Sequence, residues 1–297
     1  MSKRPIQSEL HKPEAATPSR KVWDITIEPR TSLLQLPLRE IWDYRDLLRL
    51  LVTRDLLAFY KQTILGPIWF VLQPLLTTTV FYVVFNRIAG LSTDGAPAVL
   101  FYLTSVTFWG YFSDCFTKTS ETFVANSNLF GKVYFPRLVV PLAIVASSLV
   151  RFAFQLGLLF LVWGYYFFSG AVHPQWSIIW GPYLVFLMAL IGLGIGLLFS
   201  AATTKYRDLR FLIQFGVQLL MYATPVIYPL SITNGKLQAW MSWNPLTPIF
   251  ETIRHGMLGA GMFSLSGLVW SSCFAIIVCG IGTVAYNRTE RTFIDTI

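Results

Sequence analysis

The 297-residue chain is short of charge: Asp, Glu, Lys and Arg make up 13% of it, about half the usual share for a soluble domain. It is short of cysteine as well. Cys115, Cys273 and Cys279 are the complete set, two of them in one hydrophobic run, which supports neither a disulfide framework nor a metal site. No phosphate-cradling Gly-rich loop ends in Gly-Lys-Ser/Thr, and the Gly131-Lys132 and Gly235-Lys236 pairs lack the rest of that motif. The apolar runs hold no paired carboxylates and no His cluster of the kind proton-coupled carriers use; Arg151 is the one charged residue inside a run. Residues 1–40 are polar and Pro-rich without an apolar core segment, so no secretory signal is read there. These absences argue against an ATPase site on this chain, a proton-driven carrier and a zinc module.

What is abundant is hydrophobic surface, 54% of residues, arranged in long uncharged runs. A bilayer core about 30 Å thick takes about 20 helical residues to cross. The runs are Pro67–Asn86, Ala96–Ser113, Leu138–Phe168, Gly181–Thr204, Phe211–Pro229 and Phe263–Tyr286. They predict an all-α integral membrane protein with six transmembrane helices and both termini on one side. The net charge of +8 sits at the ends of these runs, as topology requires, and does not form a nucleic-acid surface. With the runs as membrane crossings, nineteen of the 23 Lys and Arg fall on the side of the termini and three (Arg87, Lys236, Arg254) on the other. Cytoplasmic loops carry the positive excess, so a multi-pass protein of the bacterial inner membrane with both termini cytoplasmic is expected.

The remaining segments divide the chain further. Residues 1–39 read as a disordered cytoplasmic tail, 40–291 as the transmembrane domain and 292–297 as a short cytoplasmic tail. Glu40–Lys61 is predicted as an amphipathic interface helix: Ile41, Tyr44, Leu48 and Leu51 follow helical spacing on one side, with Asp43, Asp46, Arg49 and Thr53 on another. Leu230–Met262 is too apolar for a free loop and too broken by Asn244-Pro245 and Thr247-Pro248 for a full crossing, which predicts half-crossing helices between the fifth and sixth spans.

Aromatic residues make up 16% of the chain. Many stand at span ends, as interfacial belts do, but Phe81, Tyr82, Phe85, Tyr102, Phe108, Trp109 and Tyr222 lie within runs. Aromatic rings stack on the apolar face of a sugar ring, which makes these seven candidates for lining a channel; lipid contact and helix packing is the plainer account of each. On the outer side Glu251, Arg254 and His255 fall at i, i+3 and i+4. With no second carboxylate or nucleophile beside them, a charged cap that holds the half-helices, an outer gate shared with Trp240 and Trp243, is favoured over an acid–base site.

Four segments together resemble one family. RDLLAFYKQTILGPIWFVLQPLL (Arg54–Leu76), YFPRLVVPLAIVASSLVRFAFQL (Tyr134–Leu156), KYRDLRFLIQFGVQLLMYATPVIYP (Lys205–Pro229) and WNPLTPIFETIRHGML (Trp243–Leu258) are similar, in order, to segments of the permease subunits of ABC transporters that export O-antigen, teichoic acid and related polysaccharides. The resemblance runs from about Glu40 to Arg291. It implies a type-2 ABC exporter fold, a homodimer of permease chains around a channel, and two copies of a cytoplasmic ATP-binding subunit that carry ATP and Mg. No cofactor or metal is implied on this chain, and no catalytic residue. The cargo would be a polysaccharide on undecaprenyl diphosphate; a drug or lipid exporter of the same type, and a polytopic glycosyl- or acyltransferase, are the alternatives. In this light Lys118–Tyr134 is expected to dock into the ATPase through Glu121, Asn126, Asn128, Phe130 and Lys132. Arg54, Tyr60 and Lys61 stand where a lipid diphosphate would approach the inner leaflet, though positive-inside anchoring explains each alone. Arg207 and Asp208 are read as closing the turn between the fourth and fifth spans. Arg151 departs from the family pattern, so no role is carried to it. It either snorkels toward headgroups or contacts the diphosphate.

Overall fold

Proline in the opening turn starts most of the long helices, where the missing N–H costs nothing. In the computed structural model, which describes residues 38–61, 64–130 and 135–294, Pro67 precedes one helix, Pro97 another, and Pro141, Pro182 and Pro248 lie in the first turns of three more. The chain begins with α1 (Leu38–Asp43) and α2 (Arg45–Lys61) and continues as α3 (Ile68–Phe81), which runs on through a wider helical turn at Tyr82–Ile88. That turn is a π-helix, closed by the Ala89 amide donating to the Val84 carbonyl five residues back at 2.9 Å. Then come α4 (Ala98–Ser120), the single-turn helices α5 (Thr122–Ala125) and α6 (Ser127–Phe130), α7 (Val139–Phe168), α8 (Gly181–Lys205), α9 (Leu209–Tyr222), α10 (Lys236–Trp243), α11 (Thr247–Leu258) and α12 (Leu265–Ile294). No strand occurs among the described residues.

Among the described residues, four helical stretches are long and apolar enough to cross a membrane: Ile68–Ile88, Val139–Phe168, Trp176–Lys205 and Leu265–Thr289. The sequence predicts six spans, and the two that do not meet this measure have physical reasons. Helix α4 has the length, 23 residues, but carries Thr104, Ser105, Thr107, Ser113 and Asp114. It is the hub of the bundle, with α3, α7, α8, α9 and α11 packed against it and most of its residues buried. A helix covered by protein over most of its surface need not be oily on every side. Helix α9 stops at Tyr222, short of the predicted Pro229, and the stretch 223–229 is irregular.

Glycine sets the closest contacts. Gly192 and Gly196 of α8, four apart on one face, lie against α4, where an added Cβ would meet Cys115 Cβ at 2.9 Å and Thr119 Cβ at 2.6 Å. Gly194 faces the other way, onto the backbone of Cys279 in α12 at 2.7 Å. This is the small-residue packing by which helices associate where hydrophobicity gives no preference. The helices alternate in direction, giving the bundle two ends. One carries α2, α5, α6 and the end of α12, tied by Tyr286 Oη donating to the Arg137 carbonyl at 3.2 Å and by Thr203 Oγ1 donating to the Ser120 carbonyl at 2.7 Å. The other carries α10 and α11.

The helix expected at Glu40–Lys61 is broken at Tyr44 into α1 and α2. Its apolar side is partly taken up by protein: Leu51 is buried with Val139, Val140 and Ala143 of α7. Trp42, Leu50 and Leu57 stay exposed.

Candidate functional site

At the α11 end, Glu251 and Arg254 are not a surface cap. Their side chains are 4% and 1% exposed and pair at 3.3 Å. A buried ion pair survives only if its remaining hydrogen-bonding groups are used, and here nearly all are. Arg254 donates from Nη1 to the Tyr228 carbonyl at 3.3 Å, and from Nη2 to the Val226 carbonyl and Ser105 Oγ, both at 2.9 Å. Its guanidinium lies 4.1 Å from the centre of the Phe101 ring. Glu251 Oε1 accepts from the Leu230 amide at 3.4 Å and Oε2 from the Met262 amide at 3.2 Å. The second contact needs Gly261, at φ 99°, where a Cβ would stand 3.1 Å from Oε2.

This network explains both the early end of α9 and the presence of arginine. Non-helical backbone at membrane depth must be satisfied by protein, and Arg254 takes two of the carbonyls that the irregular 223–229 stretch leaves open. Asn244 Nδ2 serves the same stretch, donating to the Ala223 carbonyl at 3.3 Å and Thr224 Oγ1 at 2.8 Å. The predicted partner His255 turns elsewhere, its Nδ1 2.6 Å from Ser177 Oγ. Trp240 and Trp243 stand exposed on α10.

At the α2 end, Arg151 is paired with a carboxylate. Asp114 bridges Lys118 at 2.7 Å and Arg151 at 3.2 Å, and Arg151 Nη2 donates to Ser148 Oγ at 3.2 Å. The three side chains are 36%, 36% and 19% exposed in the order Lys118, Asp114, Arg151. Lys118 and Arg151 border a cleft of about 330 Å³ between α2, α3, α4 and α7, lined also by Asp55, Phe70 and Ser147. Arg54 reaches the same neighbourhood from α2: it pairs with Asp55 at 2.8 Å and donates to Asn126 Oδ1 at 3.3 Å. Lys61 is exposed at the end of α2. Asp114 has no role in the sequence reading, yet it is legible there as the i, i+4 partner of Lys118, directly after the run that ends at Ser113.

Of the expected docking residues, Phe130 is buried. Its ring packs 5.6 Å from Phe123 and 5.9 Å from Phe135, with the Arg137 guanidinium 5.3 Å from its centre, and Phe123 stacks on Tyr286 of α12 at 4.5 Å. It anchors α6 to α12 and the chain leading into α7 and presents no face to a partner. Asn126 is tied to Arg54, Glu121 is half-buried and Asn128 exposed. Lys132 and the side chain of Tyr60 lie outside the described residues. Arg207 and Asp208 are exposed in the α8–α9 turn.

The seven aromatics divide likewise. Tyr102, Phe108 and Trp109 are buried in the core of the single chain, where Phe108 meets Phe152 at 5.2 Å and Trp109 meets Phe112 at 5.4 Å, so these rings pack protein. Phe81, Tyr82 and Phe85 are half-buried on and beside the π turn, and Tyr222 is exposed at the end of α9.

The profile of the ABC-2 type transporter family matches residues 46–258. A Myxococcus xanthus protein named O-antigen export system permease protein RfbA is 29% identical over 261 residues, covering 87% of this chain and 98% of that protein. A Klebsiella pneumoniae protein of the same name is 24% identical over 254 residues, covering 85% and 95%. The polysialic acid transport protein KpsM of Escherichia coli is 20% identical over 251 residues, covering 83% and 94%.

Proposed function

Given that this chain belongs to the ABC-2 type transporter family of membrane proteins, we propose that it is the permease subunit of an exporter that moves a polysaccharide on undecaprenyl diphosphate across the bacterial inner membrane. The supporting observation is the reach of the likeness. It runs through 94–98% of relatives named for O-antigen export or polysialic acid transport. The O-antigen class is therefore favoured over teichoic acid.

In this reading α4 and α9 cross the membrane with the four longer spans, the α2 end faces the cytoplasm, and the α11 end faces outward. Power comes from two copies of a separate ATP-binding chain, with ATP and Mg held there. Glu121 and Asn128, on the surface beside α5 and α6, make the contact, while Phe130 stiffens the lever behind them. Two permease chains form the passage, with Phe81, Tyr82, Phe85 and Tyr222 turned toward it. The cleft beside Lys118 and Arg151 takes the diphosphate as it arrives; Arg54 and Lys61 supply the positive field that draws it. Deleting the gene is expected to leave lipid-linked glycan accumulating inside the cell and to strip it from the surface. Surface glycan at the parental level in the deletion strain would overturn this assignment.

A further inference from the structure

A second cavity, at the α11 end, takes no part in the functions described above. Helix α10, the start of α11 and the first turns of α12 enclose about 610 Å³, within the ~300–1,000 Å³ range of small-molecule sites. Trp243 and Trp270 stand on its wall with ring centres 5.8 Å apart at 78°. The Trp270 Nε1–H donates to the Trp243 carbonyl at 3.1 Å, which holds that ring in place. Both remain open to an incoming group, 73% and 39% exposed.

The rest of the wall is mixed and almost uncharged, with Leu230, Ala239, Pro248 and Met262 supplying apolar surface between the polar groups. Gln238, Ser242, Ser264 and Ser266 line it. The Ser264 and Ser266 hydroxyls lie 3.1 Å apart. The half-buried Gln238 amide has no side-chain partner among the described residues. Glu251 is the sole charged side chain in the lining, and its oxygens are already engaged by Arg254 and two backbone amides.

Two aromatic rings, one of them held by a hydrogen bond, with serine hydroxyls and a glutamine amide beside them, match a sugar ring whose faces are C–H and whose rim is hydroxyl. A phosphate-bearing headgroup would call for Lys or Arg, and none lines the cavity. An interfacial belt accounts for tryptophans but not for a glutamine amide and three serine hydroxyls gathered on the same wall. We propose that this cavity binds an uncharged sugar unit of the glycan at the outer end of the protein, on a wall distinct from the passage aromatics. The proposal rests on the exporter reading for the presence of a sugar.

The test uses the full-length protein in detergent and a panel of free neutral oligosaccharides of two to six rings, with binding read by calorimetry and by saturation-transfer NMR. At least one of them is expected to bind saturably. Trp243→Ala, Trp270→Phe and Gln238→Leu, checked for unchanged thermal unfolding, should each weaken that binding, by about tenfold for Trp243→Ala, the size of one aromatic contact. Retained affinity in all three variants, with loss in Tyr222→Ala, would put the sugar in the passage; that outcome ends this proposal and leaves the exporter reading standing. Absence of binding across the panel also ends it, as would quenching of Trp243 by brominated lipid in nanodiscs at the level of a bilayer-immersed ring. The deletion phenotype decides the exporter reading separately.

Discussion

The two ends of the bundle each hold a salt-bridge cluster, and the clusters differ in kind. Around Arg254 the charges are sealed from solvent and their bonds tie α4, α11, the stretch after α9 and the turn before α12. Around Asp114 one carboxylate is shared by two cations at the edge of an open cleft. Both look alike in sequence, a carboxylate three or four residues from a cation on a helix. Burial separates a brace, whose removal leaves backbone carbonyls stranded, from a cluster that can exchange partners when an anion arrives.

Breaking the brace gives the largest expected effect. Arg254→Ala leaves Glu251 buried without its cation, and a loss of about 3–5 kcal/mol is expected, seen as failed assembly or a collapsed thermal transition in detergent. A transition like that of the unsubstituted chain would mean the pair is a passenger. Phe130→Ala comes next, with about 3 kcal/mol lost from the aromatic cluster that joins α6 to α12. Limited proteolysis near α5 and α6 should then quicken; unchanged cleavage would return Phe130 to the surface role the sequence suggested. The smallest stability change belongs to the open cluster. Arg151→Gln should alter unfolding by no more than about 1 kcal/mol yet lower glycan export about fivefold, the worth of one cation beside a lipid headgroup. If stability falls and export per folded molecule does not, the cleft is structural and the contrast between the two ends fails.

Sequence reading succeeded where a residue's solvent decides its identity. Runs such as Leu138–Phe168 are apolar along most of their length yet leave most of their residues outside the protein core, and composition marks them at once. It failed where neighbours decide. Helix α4 continues about two turns past the expected Ser113, to Ser120, because Thr, Ser and Lys are no bar to a helix whose partners are α7 and α8. Tyr102, Phe108 and Trp109 belong to that covered helix, and their rings could not be told from exposed ones by position alone. For Glu251, Arg254 and His255 the spacing was legible but not the direction. Which acceptors surround a guanidinium depends on backbone from Val226 and Tyr228, more than twenty residues upstream. The Gly192, Gly194 and Gly196 series went unread although its spacing sat in plain view, since alternate glycines declare two close neighbours without saying which.

The sheathing of α4 means that substitutions are filtered by different rules in different parts of one bundle. On the outward faces of α7 and α12 a residue is acceptable if it is oily, whatever its outline. Along α4, where Cys115 and Thr119 meet glycine on α8, any added atom is refused, while a hydroxyl already within the allowed volume, as on Thr119, is accepted. Drift in this chain should therefore show volume held and polarity free at its centre, with the opposite at its rim.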